Sequence, residues 1–140
     1  LKKAIVNSFV GWGGYSSGLS SQDKSLLKLY VDKLLEIAKT ENNLDIKSLA
    51  IWHLQNFSIG SNGEISITNN IIELYNAETD EAFKKSLIRT LSRSTEKQAT
   101  AKLLDIAKND KSDTLKLEAI RSLQSSKNPE AIKFLEDLIK

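Results

Sequence analysis

Apolar residues recur along most of this chain at three- and four-residue intervals, the spacing of helices that bury one stripe. Leu26, Leu27, Tyr30, Val31, Leu34, Leu35, Ile37 and Ala38 trace such a stripe and predict a long helix starting near Ser21. Ala50, Ile51 and Leu54 mark a second helix after a short polar break. The whole unit then recurs. Leu34–Leu54 aligns without a gap on Ile71–Leu91 and on Leu103–Leu123, and a partial copy opens at Phe134, so the starts lie 37, 32 and 31 residues apart. One helix pair cannot bury its own apolar stripe, so a period of this length predicts a stacked all-α array in which each pair covers its neighbour.

The alignment sets the predicted boundaries. Helical repeats are expected at 22–57, 68–94 and 95–125, with a partial repeat at 128–140, all within one domain spanning 1–140. Lys2-Lys3-Ala4-Ile5 matches Leu117-Glu118-Ala119-Ile120, so residues 1–10 read as the second helix of a truncated copy. Thr95-Glu96-Lys97-Gln98 has the spacing of a capping box. Asn128 before Pro129 places a cap and then a proline at the first helical position, where its missing N–H costs nothing.

Two interruptions fall at the same junction of the repeat. Gly11–Gly18 carries Trp12 and Tyr15, and Ser58–Ile67 carries Asn62-Gly63, a hairpin-turn pair between isoleucine-bearing flanks. These segments read either as slack connections whose aromatics pack locally, or as a recognition edge on a rigid scaffold. Two ladders run through the second helices: Lys47, Lys84 and Lys116 share one repeat position, and Trp52, Arg89 and Arg121 share another. Lys85, Arg89 and Arg93 add a basic stripe at four-residue spacing. Such residues serve as solvated stems over apolar surface, or as a shallow groove in which Arg pairs with carboxylates or phosphates and Trp52 supplies an aromatic anchor. Trp12, Tyr15, Trp52, Lys84, Lys85, Arg89, Arg93 and Arg121 are therefore the candidate partner-binding residues.

Leu115-Lys116-Leu117-Glu118-Ala119-Ile120-Arg121-Ser122-Leu123 resembles the second helix of HEAT repeats, and the Asp110–Asp113 turn resembles the acidic turn of that family. The resemblance spans Ser25–Lys140, is strongest over 95–140, and is closest to the compact HEAT-like repeats found in many bacterial proteins. It implies a right-handed α-α superhelix, a HEAT/armadillo-like solenoid whose second helices line the concave face. It further implies binding or scaffolding without chemistry, and it brings no catalytic residue.

Charge narrows the partner class. The chain carries 20 basic and 18 acidic residues, a net charge of +2, with no strongly basic block. Proteins that wrap nucleic acid concentrate Lys and Arg to neutralise phosphates. A nucleic-acid-binding HEAT-like domain using the basic ladders is thus the weaker alternative to a protein or peptide partner, an acidic one included. With no cysteine, the chain suits reducing and oxidising compartments alike. It contains no methionine and starts at Leu1, and so reads as a piece of a longer protein; no stretch resembles a signal peptide or a membrane span.

Candidate chemistry is sparse. His53 is the single histidine and falls beside the core-facing leucine of its helix, as a packing residue would. The glycines of 11–14 lack the Gly-Lys-Ser/Thr of a phosphate loop, and no serine sits in a nucleophile elbow. No enzyme activity, cofactor or metal is expected.

Overall fold

The computed structural model of the 140-residue chain describes residues 21–60 and 65–140, with side chains described for 25–55 and 65–140. Among the described residues there are seven helices: α1 (Ser21–Thr40), α2 (Leu44–Gly60), α3 (Thr68–Ala77), α4 (Glu81–Ser92), α5 (Lys97–Asn109), α6 (Asp113–Gln124) and α7 (Pro129–Leu138). The fold is an all-α repeat solenoid. Two compact units make it up, Leu1–Ile67 and Thr68–Lys140.

In the first unit α1 packs on α2. Leu27, Tyr30, Val31, Leu34 and Ala38 of α1 are buried together with Ala50, Ile51 and Leu54 of α2. In the second unit, first helices stack on first helices and second on second: α3 meets α5, α5 meets α7, and α4 meets α6. The core between these layers holds Ile71 and Tyr75, then Phe83, Leu87, Ile88 and Leu91, then Leu103, Leu104 and Ile106, and finally Leu115, Ala119 and Leu123. The repeat alignment puts Leu34, Ile71 and Leu103 at one position, and all three are buried.

Each intra-repeat turn is built from the same two positions. An acid folds back onto the turn backbone: Glu41 Oε1 accepts from the amides of Asn42 and Asn43, Glu78 Oε1 from those of Thr79 and Asp80, and Asp110 Oδ1 from that of Ser112. Two residues later a short polar side chain caps the second helix. Asn43 accepts from the amides of Asp45 and Ile46, Asp80 from that of Phe83 at 2.7 Å, and Ser112 from that of Leu115 at 3.3 Å. Amides that would be orphaned at each helix start are thereby satisfied, a contribution of about 1 kcal/mol per cap. Asn128 caps α7 in the same manner, accepting from the Glu130 amide with Pro129 in the first turn.

Two local features depart from the sequence reading. The capping box at Thr95 does not form: α5 starts at Lys97 with Glu96 as its N-cap and no side-chain cap bond. Ser94 takes over the turn instead, its hydroxyl accepting from the Glu96 amide and lying 3.0 Å from that of Thr68. The loop expected from Ser58 begins later, because α2 continues to Gly60; residues 55–59 contain no proline or glycine to interrupt the backbone ladder. The expected helix at 1–10, Trp12, Tyr15 and the Asn62-Gly63 turn lie outside the described residues.

Candidate interaction surface

The outward face of the second helices follows one set of repeat positions. On α6, Thr114, Leu117, Arg121 and Gln124 are exposed at helical spacing; on α4 the same positions hold Ala82, Lys85, Arg89 and Ser92. In the first unit the equivalent positions on α2 are Asp45, Ser48, Trp52 and Gln55. Trp52 is 53% exposed while its neighbours Ile51, His53 and Leu54 are buried. This indole is the largest aromatic contact surface presented by the described residues of the first unit.

Arg89 is held in place. Its Nε donates to Glu118 Oε1 at 2.7 Å, with Glu118 largely covered and Arg89 largely exposed. This bond raises the Arg89 pKa and bridges α4 to α6. It engages one donor of the guanidinium fork of a side chain that stays largely exposed. Arg121, one repeat on, is exposed and makes no ion pair among the described residues. Lys85 is half-buried and Arg93 exposed at the C-cap of α4, so Lys85, Arg89 and Arg93 do share one edge of that helix.

The lysine ladder is placed differently. Lys84 turns inward: it is half-buried, and its Nζ lies 4.7 Å from the centroid of the Tyr75 ring. Lys102 approaches the same ring at 5.2 Å. Lys116 is half-buried and sits 3.7 Å from Asp113. Lys84 is therefore engaged with Tyr75, whereas Arg89 and Arg121 are exposed and Lys85 is half-buried.

Tyr75 anchors a polar network that sequence reading did not single out. Its hydroxyl donates to Asp110 Oδ2 at 2.7 Å, Asp110 Oδ1 accepts from the Ser112 amide, and the Ser112 hydroxyl donates to Glu81 Oε2 at 2.7 Å. Burial, reinforced by Asp110, pushes the phenol pKa up. Desolvation raises the Asp110 carboxyl, but the bonds from Tyr75 and Ser112 and the nearby Lys84 and Lys102 outweigh it, so the net shift is downward. This network clamps one repeat to the next and leaves its carboxylates engaged rather than poised for acid–base work.

His53 is buried, stands edge-on to Trp52 with ring centroids 4.9 Å apart, and its Nε2 has no hydrogen-bond partner among the described residues. Desolvation lowers its pKa. Among the described residues no cluster of His, Cys, Asp and Glu could hold a metal ion, and no helix is long and apolar enough to cross a membrane.

The family model for HEAT repeats matches residues 31–124 and again, in an overlapping register, 69–140. No curated protein and no solved structure matches the chain.

Proposed function

The chain belongs to the HEAT-repeat family, and from that premise we propose that it is a non-catalytic protein-interaction module whose second helices receive an acidic partner segment. HEAT repeats generally mediate protein–protein interaction or scaffolding. The observation that carries the finer reading is that Arg89 and Arg121, at one repeat position of the second unit, are both exposed, as Trp52 is at that position of the first unit. Interfaces are anchored by Trp and Arg more than by other residues, because each offers a large rigid contact plane with a polar handle. Lys85 and Arg93 extend the cationic edge, and Glu118 pre-orders Arg89, which reduces the entropy lost on pairing with a carboxylate. Trp12 and Tyr15 belong to the same proposal as an added recognition edge.

Selection from a phage-displayed peptide library on the immobilised chain tests this. Enrichment of peptides rich in Asp and Glu beside an aromatic or leucine is expected, with binding weakened at least about tenfold by Trp52→Ala and about threefold each by Lys85→Glu and Arg93→Glu. Enrichment without acidic bias, or binding indifferent to all three changes, overturns it. Salt-sensitive binding of duplex DNA in place of peptides would assign the face to nucleic acid.

A further inference from the structure

Within the second unit, the outward faces of the two second helices differ in chemistry at one repeat position. α4 and α6 lie side by side, joined by the 2.7 Å bond from Arg89 to Glu118. Lys85 and Arg89 stand one helical turn apart on α4, and Arg93 follows after the next turn. The equivalent pair on α6 is Leu117 and Arg121. Leu117 is 46% exposed, and α4 and α6 expose no other large apolar side chain. Passing from α4 to α6, the surface thus changes from cation beside cation to leucine beside arginine.

Charge sets where along these helices an occupant sits. Glu81 and Asp113 occupy the first turns, whereas Lys85, Arg89, Arg93 and Arg121 lie further on, and the carboxylate among them, Glu118, is engaged by Arg89. An acid-rich segment is drawn to the later turns and away from the first. Its own like charges repel, which favours an extended chain over a helix. Helices in contact run about 8–10 Å apart. An extended polyproline-type chain repeats every third residue, about 9 Å along its axis, so its residues i and i+3 face the same way at the separation of two packed helices.

We propose that α4 and α6 read a spacing: an extended partner segment crosses both helices, with a carboxylate held by Lys85 and Arg89 and a leucine-like side chain three residues away on Leu117. An acidic neighbour of that leucine pairs with Arg121. Leu117 is the specificity-determining residue. It disfavours a second carboxylate at the place where α4 accepts one, because a charge set against an apolar side chain loses water without gaining a partner. The site so defined rests on the acidic-partner reading of this face and adds to it the separation of two unlike anchors.

Short fluorescein-labelled peptides, each holding one Asp and, at a set distance, one Leu adjoined by a second Asp, serve as probes in anisotropy titrations of the full chain. The distance from the first Asp to Leu is varied from two to seven residues, in both chain directions. In one direction a separation of three is expected to bind about fivefold tighter than two or five. Leu117→Ser removes that advantage and leaves a leucine-free acidic peptide bound as before. Leu117→Lys switches the preference: a peptide with Asp in place of Leu binds this variant more tightly than the leucine peptide does, a change of selectivity that misfolding would not produce. Acidic peptides that bind with no optimum, or with an optimum at seven, the two-turn repeat of a helix, overturn the spacing and leave the acidic-partner reading standing. Failure of every acidic peptide to bind overturns both.

Discussion

Replacing Tyr75 by Phe isolates the clamp between successive repeats. The ring stays, so the packing of a residue that is 3% exposed and its contacts with Lys84 and Lys102 are retained. Only the 2.7 Å bond to Asp110 is lost. A hydrogen bond to a charged acceptor is worth about 1.5–3 kcal/mol, and an acceptor left behind near the surface recovers part of this from water. The expected cost is therefore about 1–2 kcal/mol at pH 7. Asp110→Ala should cost more, about 2–3 kcal/mol, because it orphans a buried phenolic O–H as well as the Ser112 amide. Urea unfolding followed by circular dichroism at 222 nm reads both variants; Trp12 and Trp52 precede Ile67, so their emission reports the first unit instead. With a urea m-value of about 1–3 kcal/mol/M, the Tyr75→Phe midpoint falls by about 0.5–1 M. Acid provides a second check. The Asp110 pKa is lowered in the folded state, so its contribution is complete above the unfolded carboxylate pKa of about 3.9 and is lost as pH falls through the folded value. The gap between wild type and Tyr75→Phe should narrow as pH falls below about 3.9. An unchanged midpoint at pH 7, or a gap that does not narrow in acid, refutes the clamp.

Phe83 is 1% exposed at the start of α4, and Phe83→Ala should cost about 3–5 kcal/mol in the same urea assay; a loss below about 1 kcal/mol would mean that the two layers are not packed as described. Asp80→Ala removes the cap of α4 and should cost about 1 kcal/mol, with Asp80→Asn restoring most of it. His53 has a depressed pKa in the folded state, so the stability it contributes is full above its unfolded pKa of about 6.5 and declines as pH falls through the folded value. Emission from Trp52, edge-on to His53, should follow that decline, and His53→Leu should flatten the pH dependence of stability between 7 and 5; a slope that survives the substitution assigns it to another group.

Helices and core were legible because each structural position is written three times. Leu34, Ile71 and Leu103, or Ile51, Ile88 and the half-buried Ile120, identify one another by alignment alone. The caps Asn43, Asp80 and Ser112 share a position too, although their side chains differ. What alignment could not carry were features present in a single copy. Lys84 turns inward because Tyr75 offers it a ring, whereas the equivalent positions beneath Lys47 and Lys116 hold Ala38 and Ala107. Glu118 looks like any solvated helix carboxylate until the neighbouring helix places Arg89 beside it. The aligned residue on α4 is Ser86 and that on α2 is Leu49, so no periodic signal marks the pair. Thr95 carried a cap signature, but Ser94, bonded to Thr68 across 26 residues of sequence, claimed the turn.

Site-specific photo-cross-linking compares first and second helices directly. A photoreactive residue is placed at Trp52 or Arg121 on the outward face of the second helices, or at Glu73 or Lys97 on exposed positions of the first helices, and each chain is irradiated in a lysate of its native host. Discrete protein adducts from Trp52 and Arg121, absent from Glu73 and Lys97, are the predicted result. Adducts confined to Glu73 and Lys97, or formed equally from all four positions, would contradict an interaction module that works through its second helices.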